Sequence, residues 1–109
     1  MVQMQKTFND VRDYIGEFDG SSEMMVQLLT ELAGFCDQLI QNSAKRWRYR
    51  NKFAALRDEF MIDVDTLCGR SKIIYLPVII ALRDGGDDFI NERLDRFYDL
   101  CDDAEVDLG

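Results

Sequence analysis

Apolar residues recur along the first part of the chain at intervals of three and four, which is the spacing of one helix face. The first stripe predicts a helix over about 3–18. It consists of Met4, Phe8, Val11, Ile15 and Phe18. Gly20 then offers a left-handed stop, and Ser21 or Ser22 with Glu23 offers the start of a second helix.

A wider stripe predicts a second helix over about 22–41 that packs between neighbouring elements. Its members are Met25, Leu28, Leu29, Leu32, Phe35, Cys36 and Leu39.

A third helix is predicted over about 44–68. It carries Tyr49, Phe53, Leu56, Phe60, Val64 and Leu67 on one side. Asn42 and Ser43 favour a break between these helices, since both side chains bind free backbone groups at helix ends. The alternative is one rod over 22–68, because neither glycine nor proline interrupts the junction.

The run IIYLPVIIAL at 73–82 is hydrophobic all round, which predicts that it is buried whatever its conformation. Its ten residues are about half the length of a membrane span. Pro77 has no backbone N–H and clashes with a preceding helical turn, so we expect 73–76 to be extended and a short helix to begin at Pro77.

The last helix is predicted over about 87–103, after a turn formed by Asp84, Gly85 and Gly86. Its core face consists of Ile90, Leu94, Phe97 and Cys101. We expect the terminal residues 104–109 to fray. The whole chain, 1–109, is therefore predicted to form an all-α compact bundle of four or five helices in a single domain.

The amino-acid composition supports the all-α fold class, and the N-terminal sequence predicts where in the cell the protein is found. The chain is 47% hydrophobic and 31% charged, with one proline, and few valines or threonines, which disfavours a β-sandwich or barrel. The start MVQMQKTFND has no basic and apolar pattern of an export signal, so we expect a cytoplasmic protein without membrane contact.

The net charge of -8 lies wholly in the last quarter of the chain. Residues 1–83 hold eleven acidic and eleven basic side chains, whereas residues 84–109 hold ten acidic and two basic. In the last helix, carboxylates recur at the same spacing as the apolar stripe but on the opposite face. These are Asp88, Glu92, Asp95, Asp99 and Asp102.

Such a row of like charges costs about 0.2–0.5 kcal/mol per neighbouring pair, and Arg93 and Arg96 beside it are expected to relieve part of the repulsion. The row is either a solvated face or a surface that matches a basic partner, metal ions or the cations of another protomer. One hypothesis is that it meets the cations of the third helix, within one chain or between two.

Five cations and two aromatics crowd into KRWRYRNK at 45–52. A helical wheel places Trp47, Ala54 and Met61 on a second apolar strip of the third helix, with cations on its flanks. The candidate residues of this surface are Arg46, Trp47, Arg48, Arg50, Ala54 and Met61. Three interpretations stay open: a protein-facing or self-facing interface, an ordinary exposed face, or a site for nucleic acid or a phosphate-rich ligand.

Residues that support catalysis are scarce. The chain has no histidine, and its three cysteines are far apart, so we expect reduced thiols, no metal site and no cofactor. The weaker alternative is a magnesium site formed by Asp58, Glu59 and Asp63, as in all-helical phosphohydrolases.

These patterns predict a protein that is not an enzyme and that binds a protein partner through its acidic C-terminal helix. It would serve as an inhibitor, an antitoxin-like or chaperone-like protein, or an adaptor, and one variant of this hypothesis is a decoy for nucleic-acid-binding sites. The alternatives are nucleic-acid or phosphate-ligand binding through 45–52, and self-assembly through the strip of Trp47, Ala54 and Met61.

Overall fold

The computed structural model of the protein describes residues 8–42, 48–69, 76–106 and 108. Five helices follow one another in this part of the chain, with no strand among the described residues. They are α1 (Phe8–Gly16), α2 (Ser22–Asn42), α3 (Arg50–Leu67), α4 (Leu76–Asp84) and α5 (Asp87–Asp103). The predicted all-α bundle is confirmed. The predicted limits of α2 and α5 agree with the structure to within one residue.

Helices α2 and α3 pack along each other and form the largest helix-to-helix contact of the fold. The Nη1 atom of Arg57 lies 2.6 Å from the Oδ1 atom of Asp37. On one continuous rod these residues, twenty positions apart, would be separated by about 30 Å. The alternative of one rod over 22–68 is therefore wrong, and the chain reverses direction between α2 and α3.

One hydrophobic core joins all five helices. Its largest fully buried members include Phe53, Phe60, Phe97, Met25, Leu28, Leu29, Leu32 and Ile90. Phe97 of α5 stacks on Phe8 of α1, with ring centroids 5.7 Å apart, and meets Phe35 of α2 edge-on at 5.9 Å. This aromatic cluster packs the last helix against the first two.

Helix α4 is exposed along one side, which contradicts the prediction that 73–82 is buried throughout. Leu76 is 62% exposed, Ile79 43% and Ile80 40%, whereas Val78 is fully buried. The reason is that α4 has only nine residues and packs chiefly against α5 and α3, so part of its surface has no neighbour in the bundle. The helix also begins at Leu76, one residue earlier than expected.

A Schellman motif closes the C-terminal end of α5. Glu105 adopts a left-handed backbone conformation (φ 57°), its N–H donates to the Asp102 carbonyl at 3.1 Å, and the N–H of Val106 donates to the Cys101 carbonyl at 2.8 Å. These are the two backbone hydrogen bonds that define the motif. Glutamate is unusual at the left-handed position, which glycine normally occupies.

The residues after α5 lie against the core where the structure describes them. Ala104 is buried, and Val106 and Leu108 are half-buried against core side chains. We expected 104–109 to fray. The described residues of that segment leave the helix but return to the hydrophobic core instead of extending away from it.

The turn between α1 and α2 touches the turn between α4 and α5 through glycines. Gly20 has a φ of 83°, and a Cβ atom there would lie 2.5 Å from the carbonyl oxygen of Gly85. Gly86 has a φ of 86°, and a Cβ atom there would lie 2.8 Å from the sulfur of Met25. Side chains would separate the two turns, so glycine is what allows the start of α5 to approach the start of α2.

Gly20→Ala should destabilise the fold far more than Gly69→Ala. Gly69 also has a positive φ, 73°, but a Cβ atom there would meet nothing within 4 Å. We expect Gly69→Ala to lower the free energy of unfolding by about 1 kcal/mol from backbone strain alone. Gly20→Ala adds overpacking against a carbonyl, for a total of about 2–4 kcal/mol. Urea unfolding followed by circular dichroism measures both, and equal losses would contradict the close approach of the two turns.

Glu105→Gly should stabilise the protein. Glycine removes the strain of the left-handed conformation, and we expect a gain of about 1 kcal/mol over Glu105→Ala. The alanine variant is the matched control because it removes the same charge and keeps a Cβ atom. Thermal and urea unfolding of the two variants give the difference, and a glycine variant no more stable than the alanine variant would disprove the motif.

Candidate functional site

The acidic face is the row Asp88, Glu92, Asp95, Asp99 and Asp102 on α5. All five of these side chains are exposed. The opposite side of α5 is buried, and it includes the four residues predicted for the core face. The structure therefore places the predicted carboxylates on one outward side of a single rigid helix.

Arg93 reaches Glu92 of the acidic face, as expected, but its own side chain is buried inside the protein. It is 2% exposed and faces Asp63 of α3, which is 0% exposed. Its Nε donates to Asp63 Oδ2 at 2.8 Å and its Nη2 to Asp63 Oδ1 at 3.4 Å. The guanidinium carbon also lies 4.5 Å from the centroid of the Phe89 ring. A buried carboxylate and an aromatic face therefore hold the cation.

Burial raises the pKa of Asp63, and the hydrogen bonds from Arg93 oppose that shift. Because the folded-state pKa is raised, the folded protein binds this proton more tightly than the unfolded chain does. The contribution of the carboxyl to stability therefore grows as the pH falls through the folded-state pKa. When both groups are charged, the cost of burying them offsets much of their attraction. We infer that the pair serves mainly to orient α5 on α3.

Arg96, the other cation of α5, also turns toward α3. Its Nη2 donates to Glu59 Oε2 at 2.6 Å, while its Nη1 lies 4.0 Å from Glu92 Oε1. Glu92 also accepts from Arg93 Nη1 at 2.8 Å, at the edge of the buried pair. Both arginines that were expected to relieve the acidic face are thus bound primarily to carboxylates of another helix.

The five carboxylates of the acidic face differ in their ion pairs. Within the described residues, Glu92 is in ion pairs with Arg93 and Arg96, and the other four members are in none. These four are Asp88, Asp95, Asp99 and Asp102. The two arginines therefore relieve the repulsion in one part of the row, at Glu92, as the sequence predicts.

In the ion pairs between α3 and α5, each helix supplies the charge that the hypothesis assigned to the other. The arginines come from α5 and the carboxylates from α3. Arg57, a cation of α3, pairs instead with Asp37 at 2.6 Å and with Asp58 at 3.2 Å. No ion pair between the acidic face and a cation of α3 is found in the described part of the chain. Lys45 and Arg46 of the predicted third helix lie outside the described residues, so the intramolecular version of the hypothesis stays a prediction.

The basic segment is described in part. Arg46 and Trp47 lie outside the described residues. Arg48 and Arg50 are exposed, and the Nζ atom of Lys52 lies 5.6 Å from the centroid of the Tyr49 ring. No ion pair between Arg50 or Lys52 and the acidic face is found among the described residues. The structure therefore does not join these two predicted surfaces within the described chain.

The apolar strip of α3 extends to the protein surface. Ala54 is half-buried, whereas Met61 and its neighbour Ile62 are exposed. An exposed methionine and isoleucine on successive positions are compatible with an interface, and this part of the prediction stays a prediction.

The three carboxylates considered for magnesium are each held by an arginine. Asp58 accepts from Arg57, and Glu59 and Asp63 accept from Arg96 and Arg93. No group of carboxylates or thiols among the described residues is arranged to hold a metal ion. The magnesium alternative has no support in this part of the chain.

The burial of Asp63 and of Arg93 is not among the sequence predictions, although each residue has a recognisable position in the sequence. Asp63 follows Phe60 by three positions and so falls on the core stripe of α3. Arg93 falls between Ile90 and Phe97 on the core stripe of α5. Two opposite charges on the apolar stripes of two helices indicate a buried ion pair, because neither charge is stable there alone.

Comparisons with protein-family models, with curated proteins and with solved structures found no match for this chain. In the part that the structure describes, no helix combines the length and the apolar character needed to cross a bilayer.

A double-mutant cycle on Asp63 and Arg93 should show strong coupling. We expect Asp63→Leu and Arg93→Met each to lower the free energy of unfolding by about 3–5 kcal/mol, because each leaves a buried charge without its buried partner. The double variant should recover most of that loss, since two apolar side chains can replace the pair. Chemical denaturation measures all three variants.

The control pair is Glu59 with Arg96, which is partly exposed. Glu59→Gln and Arg96→Gln should each cost no more than about 1 kcal/mol. Losses of similar size at the two pairs, or purely additive losses at Asp63 and Arg93, would contradict the orienting role of the buried pair.

Proposed function

We propose that this protein is a non-enzymatic binding protein whose acidic face docks on the basic surface of a protein partner. Inhibitor, antitoxin-like, chaperone-like and adaptor roles all fit this mode of action, and the proposal places it in the cytoplasm. The observation that carries the proposal is the exposure of four carboxylates that make no ion pair with any described residue, while the two arginines of the same helix are held by α3.

The aligned carboxylates destabilise the free protein but favour the binding of a cationic partner. Aligned aspartates repel one another, and those near the C-terminal end of α5 also oppose the helix dipole. Solubility does not require that they share one helix face. A partner that brings cations removes the repulsion on binding, and the exposed row also accelerates association by attracting that partner.

Self-assembly is the second candidate, and the exposed apolar side chains favour it. Met61 and Ile62 on α3 and Leu76 on α4 are large apolar side chains exposed at the surface, where self-association could bury them. Light scattering separates the candidates. A mass near 12.7 kDa at all protein concentrations excludes self-assembly, whereas a mass of twice that value that Trp47→Asp returns to the monomer supports it.

Nucleic-acid binding through 45–52 is the remaining alternative, and the acidic face opposes it because it repels a polyanion. Fluorescence anisotropy with single-stranded and double-stranded probes tests it directly. Binding at low salt that Arg48→Ala and Arg50→Ala abolish would favour this alternative over the proposed function.

Neutralising the acidic face should weaken partner binding. The test variant carries Asp95→Asn, Asp99→Asn and Asp102→Asn. The control carries Asp13→Asn, Glu17→Gln and Glu23→Gln, which removes the same charge from exposed positions on α1, just after α1 and on α2. We expect the test variant to lose roughly threefold to a hundredfold in affinity for the partner, since three exposed ion pairs at about 0.2–1 kcal/mol each contribute about 0.6–3 kcal/mol.

The partner is first isolated on the immobilised wild-type protein from an extract of the native host, and the affinity is then measured by calorimetry. Wild type and control should bind alike, and both should weaken as salt rises. A partner that binds the test variant as tightly as wild type, or whose binding is independent of salt, would refute the proposed function.

A further inference from the structure

A groove of about 430 Å³ opens at the C-terminal end of α5. Its lining combines an aromatic ring, two carboxylates of the acidic face and two apolar residues from the end of the chain. The lining residues are Tyr98, Asp99, Cys101, Asp102, Val106 and Leu108. The groove is therefore continuous with the acidic face but differs from the rest of it, because it offers apolar contact as well as charge.

The apolar walls of the groove are held in place by the core. The ring of Tyr98 meets Phe8 edge-on at 5.8 Å and Phe97 at 6.0 Å, so its position is fixed by the aromatic cluster. The opposite wall follows from the Schellman motif, in which the backbone hydrogen bond of Val106 to Cys101 turns the chain back onto the helix end. A side chain that enters the groove therefore meets ordered surfaces, which lowers the entropy cost of binding.

The charge of the groove selects a cation. Asp99 and Asp102 are exposed, and neither makes an ion pair among the described residues. Both lie at the negative end of the α5 dipole, whose last turn contains no basic residue of its own. An anion would meet repulsion from both carboxylates and from the helix end.

A long cationic side chain satisfies both parts of the lining. Its methylene stem can cover Val106 and Leu108 while its head reaches the carboxylates. Arginine fits better than lysine, because its planar guanidinium stacks on an aromatic ring and donates two parallel hydrogen bonds to a carboxylate. The groove offers both groups: the aromatic ring of Tyr98 for stacking, and the carboxylates of Asp99 and Asp102 for hydrogen bonds.

We infer that this groove receives an arginine side chain of the basic protein partner, with the guanidinium on Tyr98 and in hydrogen bonds to Asp99 and Asp102. The inference rests on the proposed function and adds the chemistry of the contact residue and its place at one end of the acidic face.

The test uses the full-length protein and three small probes: N-acetyl-arginine amide, N-acetyl-lysine amide and N-acetyl-citrulline amide. Citrulline has nearly the shape of arginine without its charge. In titrations followed by NMR, we expect the arginine probe to shift the backbone signals of Tyr98, Val106 and Leu108 in a saturable way at roughly millimolar concentration. Lysine should bind more weakly, and citrulline should produce no saturable shift.

Two variants of Tyr98 complete the test. Tyr98→Phe keeps the ring and should bind the arginine probe as wild type does, whereas Tyr98→Ala should weaken it at least threefold. Equal binding of citrulline and arginine, equal effects of the two variants, or shifts spread evenly to the Asp88 end of α5 would overturn the inference.

The proposed function is tested separately, by measuring how tightly each variant binds the isolated partner. If Tyr98→Ala binds the partner as wild type does while the variant neutralised at Asp95, Asp99 and Asp102 does not, the groove inference fails and the proposed function holds. If both variants bind as wild type does, both fail. If both weaken binding while Tyr98→Phe does not, both are supported.

Discussion

The buried ion pair between Arg93 and Asp63 determines how α5 sits in the bundle. A charge inside a protein is tolerated only where its partner is in contact, so the pair accepts one rotational setting of α5 against α3. Turning α5 by one residue, about 100°, would separate the two groups and leave both unpaired. The same setting directs Phe97 into the aromatic cluster and the acidic face into solvent. A pair that contributes little net stability thus decides which surface the protein presents.

Backbone constraints act at the two ends of the same helix. At its start, the contact of Gly20 with Gly85 brings the α4–α5 turn against the beginning of α2. At its end, the Schellman motif stops the helix and returns Val106 to the core. Between them lies the ion pair. α5 is therefore fixed in position at both ends and in rotation at its middle, which is the rigidity that a binding surface needs.

Much of this arrangement follows from periodicity in the sequence, and the exceptions have physical reasons. The limits of α2 and α5 follow because long amphipathic stripes and helix-starting residues agree there. The exposure of Leu76 on α4 does not follow, since hydrophobicity reports a preference for burial and not whether a neighbouring helix is present. The Schellman motif left no signal because Glu105 occupies a position where glycine normally marks it. The acidic face was evident, but the position of the two arginines of α5 depended on contacts between α3 and α5, thirty or more positions apart.

The acidic face and the groove would contribute different things to one binding event. From Asp88 to Asp102 the face spans about 21 Å of helix, more than twice the distance over which physiological salt screens a charge. Its carboxylates therefore act mainly on cations close to the surface, where exposed ion pairs give a faster encounter but little lasting affinity. Lasting affinity needs apolar area removed from water, and along this face that area is concentrated beside Tyr98, Val106 and Leu108. A partner with scattered lysines would associate quickly and dissociate quickly, whereas one with an arginine positioned for the groove would remain bound.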